Sequence, residues 1–209
     1  MRAIDLCCGL GWWAFGLVEE GWDVTGVDVT EMIDPRLEPF PGEKIIADVR
    51  ELKVTDLPAC DLVVASPPCT EFARRTLPYG SCRKFSAQTP DLSIVTACFR
   101  LAILLRAPLV LENVRGAVPF IGPPSGVMGP WYLWGDGVPP LLPQTGRKNK
   151  FGRQGDFEKP PFDDHAHRMK SAWRARIPIE LSRCVGRWHR VIRRDHRVQP
   201  PPSRLLEGK

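Results

Sequence analysis

Ser66-Pro67-Pro68-Cys69-Thr70 sets a thiol directly after two prolines. The proline rings fix φ and keep the loop from continuing as helix or strand, so the next side chain is presented rigidly. A thiolate is the strongest nucleophile available near neutral pH, which makes Cys69 the candidate for covalent chemistry. The plainer alternative is a buried cysteine in a proline turn. Glu112-Asn113-Val114 follows the apolar run Leu109-Val110-Leu111. A carboxyl group at such a rim, partly desolvated, can donate a proton as well as accept one; taken alone, a loop or capping glutamate is the commoner reading. Asp5-Leu6-Cys7-Cys8-Gly9-Leu10-Gly11 offers a turn in which Gly9 and Gly11 let the backbone bend tightly and a ligand come close. Gly11 is followed by Trp12-Trp13-Ala14, and Gly16 comes too late for a dinucleotide fingerprint, so a nucleoside fits better. Asp28 is then placed for ribose hydroxyls and Asp48 for an amino group on a base.

Strands must position these residues. Short apolar runs over residues 3–6, 23–27, 44–47, 61–65 and 109–111 lead into Asp5 and its glycine turn, Asp28, Asp48, Cys69 and Glu112. Helical stretches are expected from about Trp13 to Glu20 and from Pro90 to Arg106, the latter with Thr89 as cap and Pro90 at its first position. Strands alternating with helices predict parallel βαβ units in an α/β fold, whose ligands sit at the carboxyl ends of the strands. Residues 115–146 are rich in Gly and Pro around the aromatic patch Trp131-Tyr132-Leu133-Trp134-Gly135, which could form an antiparallel pair completing the sheet. Residues 147–176 read as a basic, loop-rich insert, residues 179–193 as an amphipathic helix, and the stretch after Gln199 as a disordered tail.

The 209 residues suffice for one such domain with a small appendage. With 43% hydrophobic and 25% charged residues a packed core is expected and wholesale disorder is excluded. No apolar stretch is long enough for a membrane helix, and an acid at position 5 argues against a cleaved leader, so a cytoplasmic protein is expected. The net charge of +5 hides an asymmetry: residues 147–209 hold 17 Lys/Arg against 7 Asp/Glu. Charge so gathered points to a polyanionic partner such as nucleic acid, or more plainly to a solvated tail. The seven cysteines include no CxxC pair, so neither a zinc site nor a disulfide framework is expected, and no metal is assigned.

Taken together, Asp5-Leu6-Cys7-Cys8-Gly9-Leu10-Gly11, Pro67-Pro68-Cys69-Thr70-Glu71-Phe72 and Glu112-Asn113-Val114-Arg115 resemble the first, fourth and sixth signature motifs of the DNA cytosine-5 methyltransferases. Arg176-Ile177-Pro178-Ile179-Glu180-Leu181-Ser182 is similar to that family's closing motif. The resemblance covers residues 2–115 well and 172–190 loosely. It implies a Rossmann-like fold dependent on S-adenosylmethionine, mostly parallel, with helices on both faces and a small basic recognition region. The implied division is a catalytic core over 1–115, last strands and a recognition insert over 116–171, a helix packing back over 172–197, and a tail over 198–209.

In this reading Cys69 attacks C6 of a cytosine flipped out of double-stranded DNA, and Glu112 holds N3 and the amino group. The methyl donor would lie against Asp5, Cys7, Gly9, Gly11, Asp28, Asp48 and Pro67. The sequence departs from the family at Cys7, where Phe is usual, at Thr70, where Gln is usual, and at Ala175, near the place of a customary Asn. It also lacks the Gln-x-Arg-x-Arg motif. Arg74, Arg75 and Arg147 are the candidates to replace its arginine, with Lys148 and Lys150 as further nucleic-acid contacts. The small insert implies a short or relaxed recognition sequence, and a monomer is expected. The alternatives are a cytosine methyltransferase acting on tRNA and a catalytically silent DNA-binding relative.

Overall fold

The structure, a computed structural model, describes residues 1–73, 89–144 and 175–198. The apolar runs form five parallel strands, β1 (Arg2–Leu6), β2 (Asp23–Asp28), β3 (Glu43–Ile46), β4 (Leu62–Ala65) and β5 (Leu109–Asn113). A hairpin of β6 (Gly126–Met128) and β7 (Trp131–Trp134) adds antiparallel to β5, with Glu112 opposite Leu133. The seven-stranded order is β3-β2-β1-β4-β5-β7-β6. The chain therefore winds outward from β1 in one direction and, from β4 on, in the other. Side chains at the carboxyl ends of β1 and β4 flank the crevice that such a reversal opens.

The helices are α1 (Trp12–Glu19), α2 (Thr70–Ala73), α3 (Ser93–Leu105), α4 (Val118–Ile121) and α5 (Ile179–Val198). Strand alternation divides the core in two. Ile4, Leu6, Val63, Ala65, Leu109 and Leu111 pack with Val95, Cys98, Leu101 and Ala102 of α3. Ala3, Leu62, Val64, Val110 and Leu133 pack with Trp13, Ala14 and Leu17 of α1 and with Leu181 and Val185 of α5. With both faces covered, all four residues of β4 are buried, which explains a continuous apolar run rather than an alternating one.

Two helix boundaries differ from the sequence reading. Helix α3 begins at Ser93, with Leu92 at the cap position, rather than at Thr89-Pro90. Asp91 Oδ1 accepts the Ser93 amide at 2.8 Å and so supplies locally the partner that the Thr89 hydroxyl was expected to supply. Helix α5 runs to Val198, past the last of the apolar repeats, because Arg and His at its end are adequate helix formers and no Gly or Pro intervenes.

Helix α5 docks on α1 through close contact and charge. A Cβ at Gly16 would lie 2.5 Å from Ser182 Cβ, so only glycine allows this approach. Ser182 Oγ donates to the Trp13 carbonyl at 2.5 Å, and Trp22 Nε1 donates to the Gly186 carbonyl at 3.2 Å. Arg183 pairs with Glu19, Arg187 with Glu20 at 2.8 Å, and Arg193 with Asp61, while Arg190 donates to the Glu20 carbonyl. Four of the 17 Lys/Arg at this end of the sequence thus hold the helix onto acidic and carbonyl groups of the core. Among the described residues no helix is long and apolar enough to cross a membrane.

Candidate active site

The carboxyl ends of the parallel strands converge on a cavity of about 280 Å³. Its lining includes Cys7 and Gly9 after β1, Asp28 at the end of β2, Asp48 just beyond β3, Pro67 and Cys69 after β4, and Glu112 on β5. Cys69 is half-buried, and Glu112 is only 2% exposed. Thiol and carboxyl group, 43 positions apart in sequence, line the same cavity because β4 and β5 pair in parallel with Ala65 opposite Leu111.

The loop that carries Cys69 is fixed from three sides. Ser66 donates its amide to the Leu6 carbonyl at 3.2 Å, and Ser66 Oγ accepts Trp13 Nε1 at 2.9 Å. Asn113, fully buried beside Glu112, donates Nδ2 to the Pro67 carbonyl at 3.0 Å. Its Oδ1 accepts the Val114 amide at 2.8 Å, so both ends of the amide are used. Beyond the prolines, the Cys69 carbonyl accepts amides from Phe72 and Ala73 at 3.1 and 2.8 Å and starts α2, a helix the sequence reading did not anticipate. The linking role of Asn113 was also missed. Its signal was available: an amide side chain on a wholly buried strand must find partners for donor and acceptor alike.

On the opposite wall, Asp28 accepts the Gly9 amide on Oδ2 and the Val29 amide on Oδ1, both at 2.8 Å. It ties the glycine turn to β2, and a carboxylate's remaining lone pairs stay available to a ligand. Asp48 is gripped by Arg50, whose Nη2 lies at 2.5 Å and backbone amide at 2.9 Å. Hydrogen bonds from the Arg50 side chain hold the Asp48 carboxyl below the usual carboxylate range. Cys7 lies in the left-handed region at φ 57°. Its thiol is hydrogen-bonded to Cys98, which together with burial pushes it well above the ordinary cysteine range. Met32, Val49, Ile94 and Trp12 supply apolar wall. Ala175 and Ile177, preceding α5, complete the lining, and the Arg176 guanidinium stacks over the Trp12 ring at 5.0 Å from its centroid.

Two of the expected ligand contacts do not reach the cavity. Gly11 caps α1 at φ 86°, and a Cβ there would meet Phe40 Cδ2 at 2.8 Å, so its glycine serves the turn and the Phe40 packing. Asp5 points with Ala3 toward α1, away from Ile4 and Leu6, and is fully buried. Neither of its carboxyl oxygens has a hydrogen-bond partner among the described residues. Burial first, then the charge of Asp28, raises the Asp5 carboxyl well above its ordinary value, against the opposing pull of the Ala14 amide and the Lys44 charge. Arg74, Arg75, Arg147, Lys148 and Lys150 lie outside the described residues.

The family model of C-5 cytosine-specific DNA methylases matches residues 1–119, which hold every one of these strand-end groups. The chain belongs to this family. Solved structures similar to it include a DNA modification methyltransferase encoded within an E. coli prophage, at 22% identity and a TM-score of 0.40, covering 56% of this chain and 33% of that one. A mutant of Spodoptera frugiperda DNMT2 is similar at 17% identity and a TM-score of 0.38, covering 57% of this chain and 37% of that one. The S. pombe Dnmt2 methyltransferase follows at 17% identity and a TM-score of 0.36, covering 56% and 36%. The chain thus spans roughly a third of the length of each of these proteins. No curated protein matches the sequence. For a member of the C-5 cytosine methylase family, the Rossmann-like α/β sheet and the strand-end position of the cavity are the expected frame.

Proposed function

We propose that the chain transfers a methyl group from S-adenosylmethionine to C5 of cytosine in DNA, through a covalent bond between Cys69 and C6 of a base turned out of the duplex. The observation that carries this reading is that Cys69 and Glu112 line one cavity with the strand-end acids Asp28 and Asp48. The lining suits the methyl donor: among the described residues its only charged members are acids, set in apolar wall, which fits a sulfonium cation with ribose hydroxyls and a base amino group to donate. Asp28 would accept from the ribose, Asp48 from the amino group, and Gly9, Cys7 and Pro67 would shape the pocket between. When bound, the donor supplies an electrophilic methyl group.

The chain's own residues do the rest. Cys69, as thiolate, adds to C6, while Glu112 hydrogen-bonds the amino group and protonates N3, so that electron density gathers at C5. After methylation, the C5 proton passes to solvent, the C5–C6 double bond re-forms as Cys69 leaves as thiolate, and N3 returns its proton to Glu112. The prolines and Asn113 hold the sulfur in place, so that little ordering remains to be done when the base arrives. Extruding a paired base costs a few kcal/mol, to be offset by phosphate contacts from the basic part of the chain.

The test is trapping with DNA containing 5-fluorocytosine, which blocks the final loss of the C5 substituent. Wild-type protein with methyl donor should form an adduct that survives a denaturing gel, while Cys69→Ala should still retard DNA on a native gel and form none. A wild type that binds both ligands yet gives no adduct overturns the covalent route. A parallel incubation with RNA assigns the substrate to the nucleic acid that is trapped.

A further inference from the structure

The proposed donor carries a carboxylate, and the cavity lining contains no Lys, Arg or His among the described residues. Cations adjoining the lining are engaged elsewhere. Arg50 is forked onto Asp48, Lys44 lies over the Phe40 ring and against the Met32 carbonyl, and Arg100 donates to the carbonyls of Val49, Arg50 and Leu52. Arg176 is different. It sits between two lining residues, Ala175 and Ile177, and its guanidinium is spread over a third, Trp12. Its backbone is anchored, with the Arg176 carbonyl accepting Trp131 Nε1 at 3.0 Å. Among the described residues it faces no carboxylate, whereas Arg183, Arg187 and Arg193 of α5 are each paired with one.

We infer that Arg176 receives the carboxylate of the methyl donor's amino-acid arm, with Trp12 as the platform that aims it. This rests on the methyl-transfer reading above. The donor's sulfur bears three arms. The nucleoside arm belongs at Asp28 and Asp48, and the methyl group must face Cys69 and Glu112. The third arm carries the carboxylate, and Trp12, Ala175 and Ile177 are the part of the lining that adjoins a cation with no carboxylate partner among the described residues, the exposed Arg176. Stacking on an indole holds a guanidinium while leaving its in-plane N–H groups free to fork onto a carboxylate.

The experiment is calorimetric titration with two ligands: S-adenosylhomocysteine, which has the amino-acid arm, and 5′-methylthioadenosine, which lacks it. Arg176→Gln should weaken the first about tenfold and leave the second unchanged, and Arg176→Lys should recover part of the loss, as expected for one charge-assisted contact. Equal weakening of both ligands would show that Arg176 acts only through the packing of Trp12, and unchanged binding of both would show no role; either overturns the assignment. Weaker DNA binding with S-adenosylhomocysteine binding intact would reassign the guanidinium to a phosphate. If wild-type protein binds neither small ligand, the methyl-transfer reading itself fails.

Discussion

At the scale of single residues, Asp5 and the Cys69–Glu112 pair show opposite ways in which side-chain identity predicts a role. That Cys69 and Glu112 would share one cavity was legible in the sequence, because each follows an apolar run that reads as a parallel strand, and parallel strands bring their carboxyl ends together. Asp5 looked like another strand-end ligand, but alternation along β1 turns it with Ala3 toward α1, and burial there makes its ionisation costly. The folded carboxyl therefore keeps its proton above the pH at which the unfolded chain, near 3.8, releases it. Stability should be flat below that pH and decline as pH rises through the range between the two values, since the unfolded state alone gains by ionising. Replacing Asp5 by Asn removes the titration, so thermal melts of the variant should lose this decline and show a gain of about 1–3 kcal/mol at neutral pH. Parallel pH profiles for the two proteins would show that the Asp5 carboxyl does not hold its proton in the fold. Cys69→Ala, by contrast, should leave melting nearly unchanged and remove only the covalent adduct, because the side chain is half-buried and a thiol is close to a methyl group in what it buries.

Among elements, the contact that matters most to the site is the one between the end of β5 and the loop after β4. Asn113 spans it with one buried hydrogen bond, from Nδ2 to the Pro67 carbonyl, while its Oδ1 is held by the adjacent Val114 amide. Asn113→Ala should cost about 1–3 kcal/mol in urea denaturation, because a carbonyl and an amide lose their partner, and should slow adduct formation at saturating DNA by loosening Cys69. A full adduct rate in a measurably destabilised variant would mean that the prolines alone hold the thiol. The α1–α5 contact offers a packing counterpart. Gly16→Ala drives a methyl group into Ser182 and should cost about 1–3 kcal/mol, and Ser182→Gly in the same chain should recover part of it despite losing its own hydrogen bond. The five parallel strands and the final hairpin could be read from the sequence because apolar runs and turn residues alternate without ambiguity. The start of α3 could not, since Thr89-Pro90 and Asp91 offer rival beginnings and only the hydrogen bond from Ser93 to Asp91 settles the matter. The reach of α5 was hidden as well, because the apolar repeat stops at Ile192 and only helix propensity carries the backbone on to Val198.

For the whole molecule, part of the charge asymmetry in the sequence is spent inside the fold. Arg183, Arg187, Arg190 and Arg193 attach α5 to an acidic surface, so they are poor candidates for phosphate contacts. Arg147, Lys148 and Lys150 belong to the basic stretch between the sheet and α5. Changing these three to Ala should weaken DNA binding and reduce the slope of log affinity against log salt by about 2–3, given roughly 0.9 per phosphate neutralised. Arg187→Ala should instead leave that slope alone and lower the melting temperature slightly, as expected for an exposed ion pair. An unchanged slope in the triple variant would place the phosphate contacts elsewhere. The cavity itself draws its wall from both extremes of the described chain, Cys7 and Gly9 on one side and Ala175 and Ile177 on the other. The enclosure is therefore finished only when Ala175 and Ile177 have been made and folded back against a turn laid down at the very start of translation.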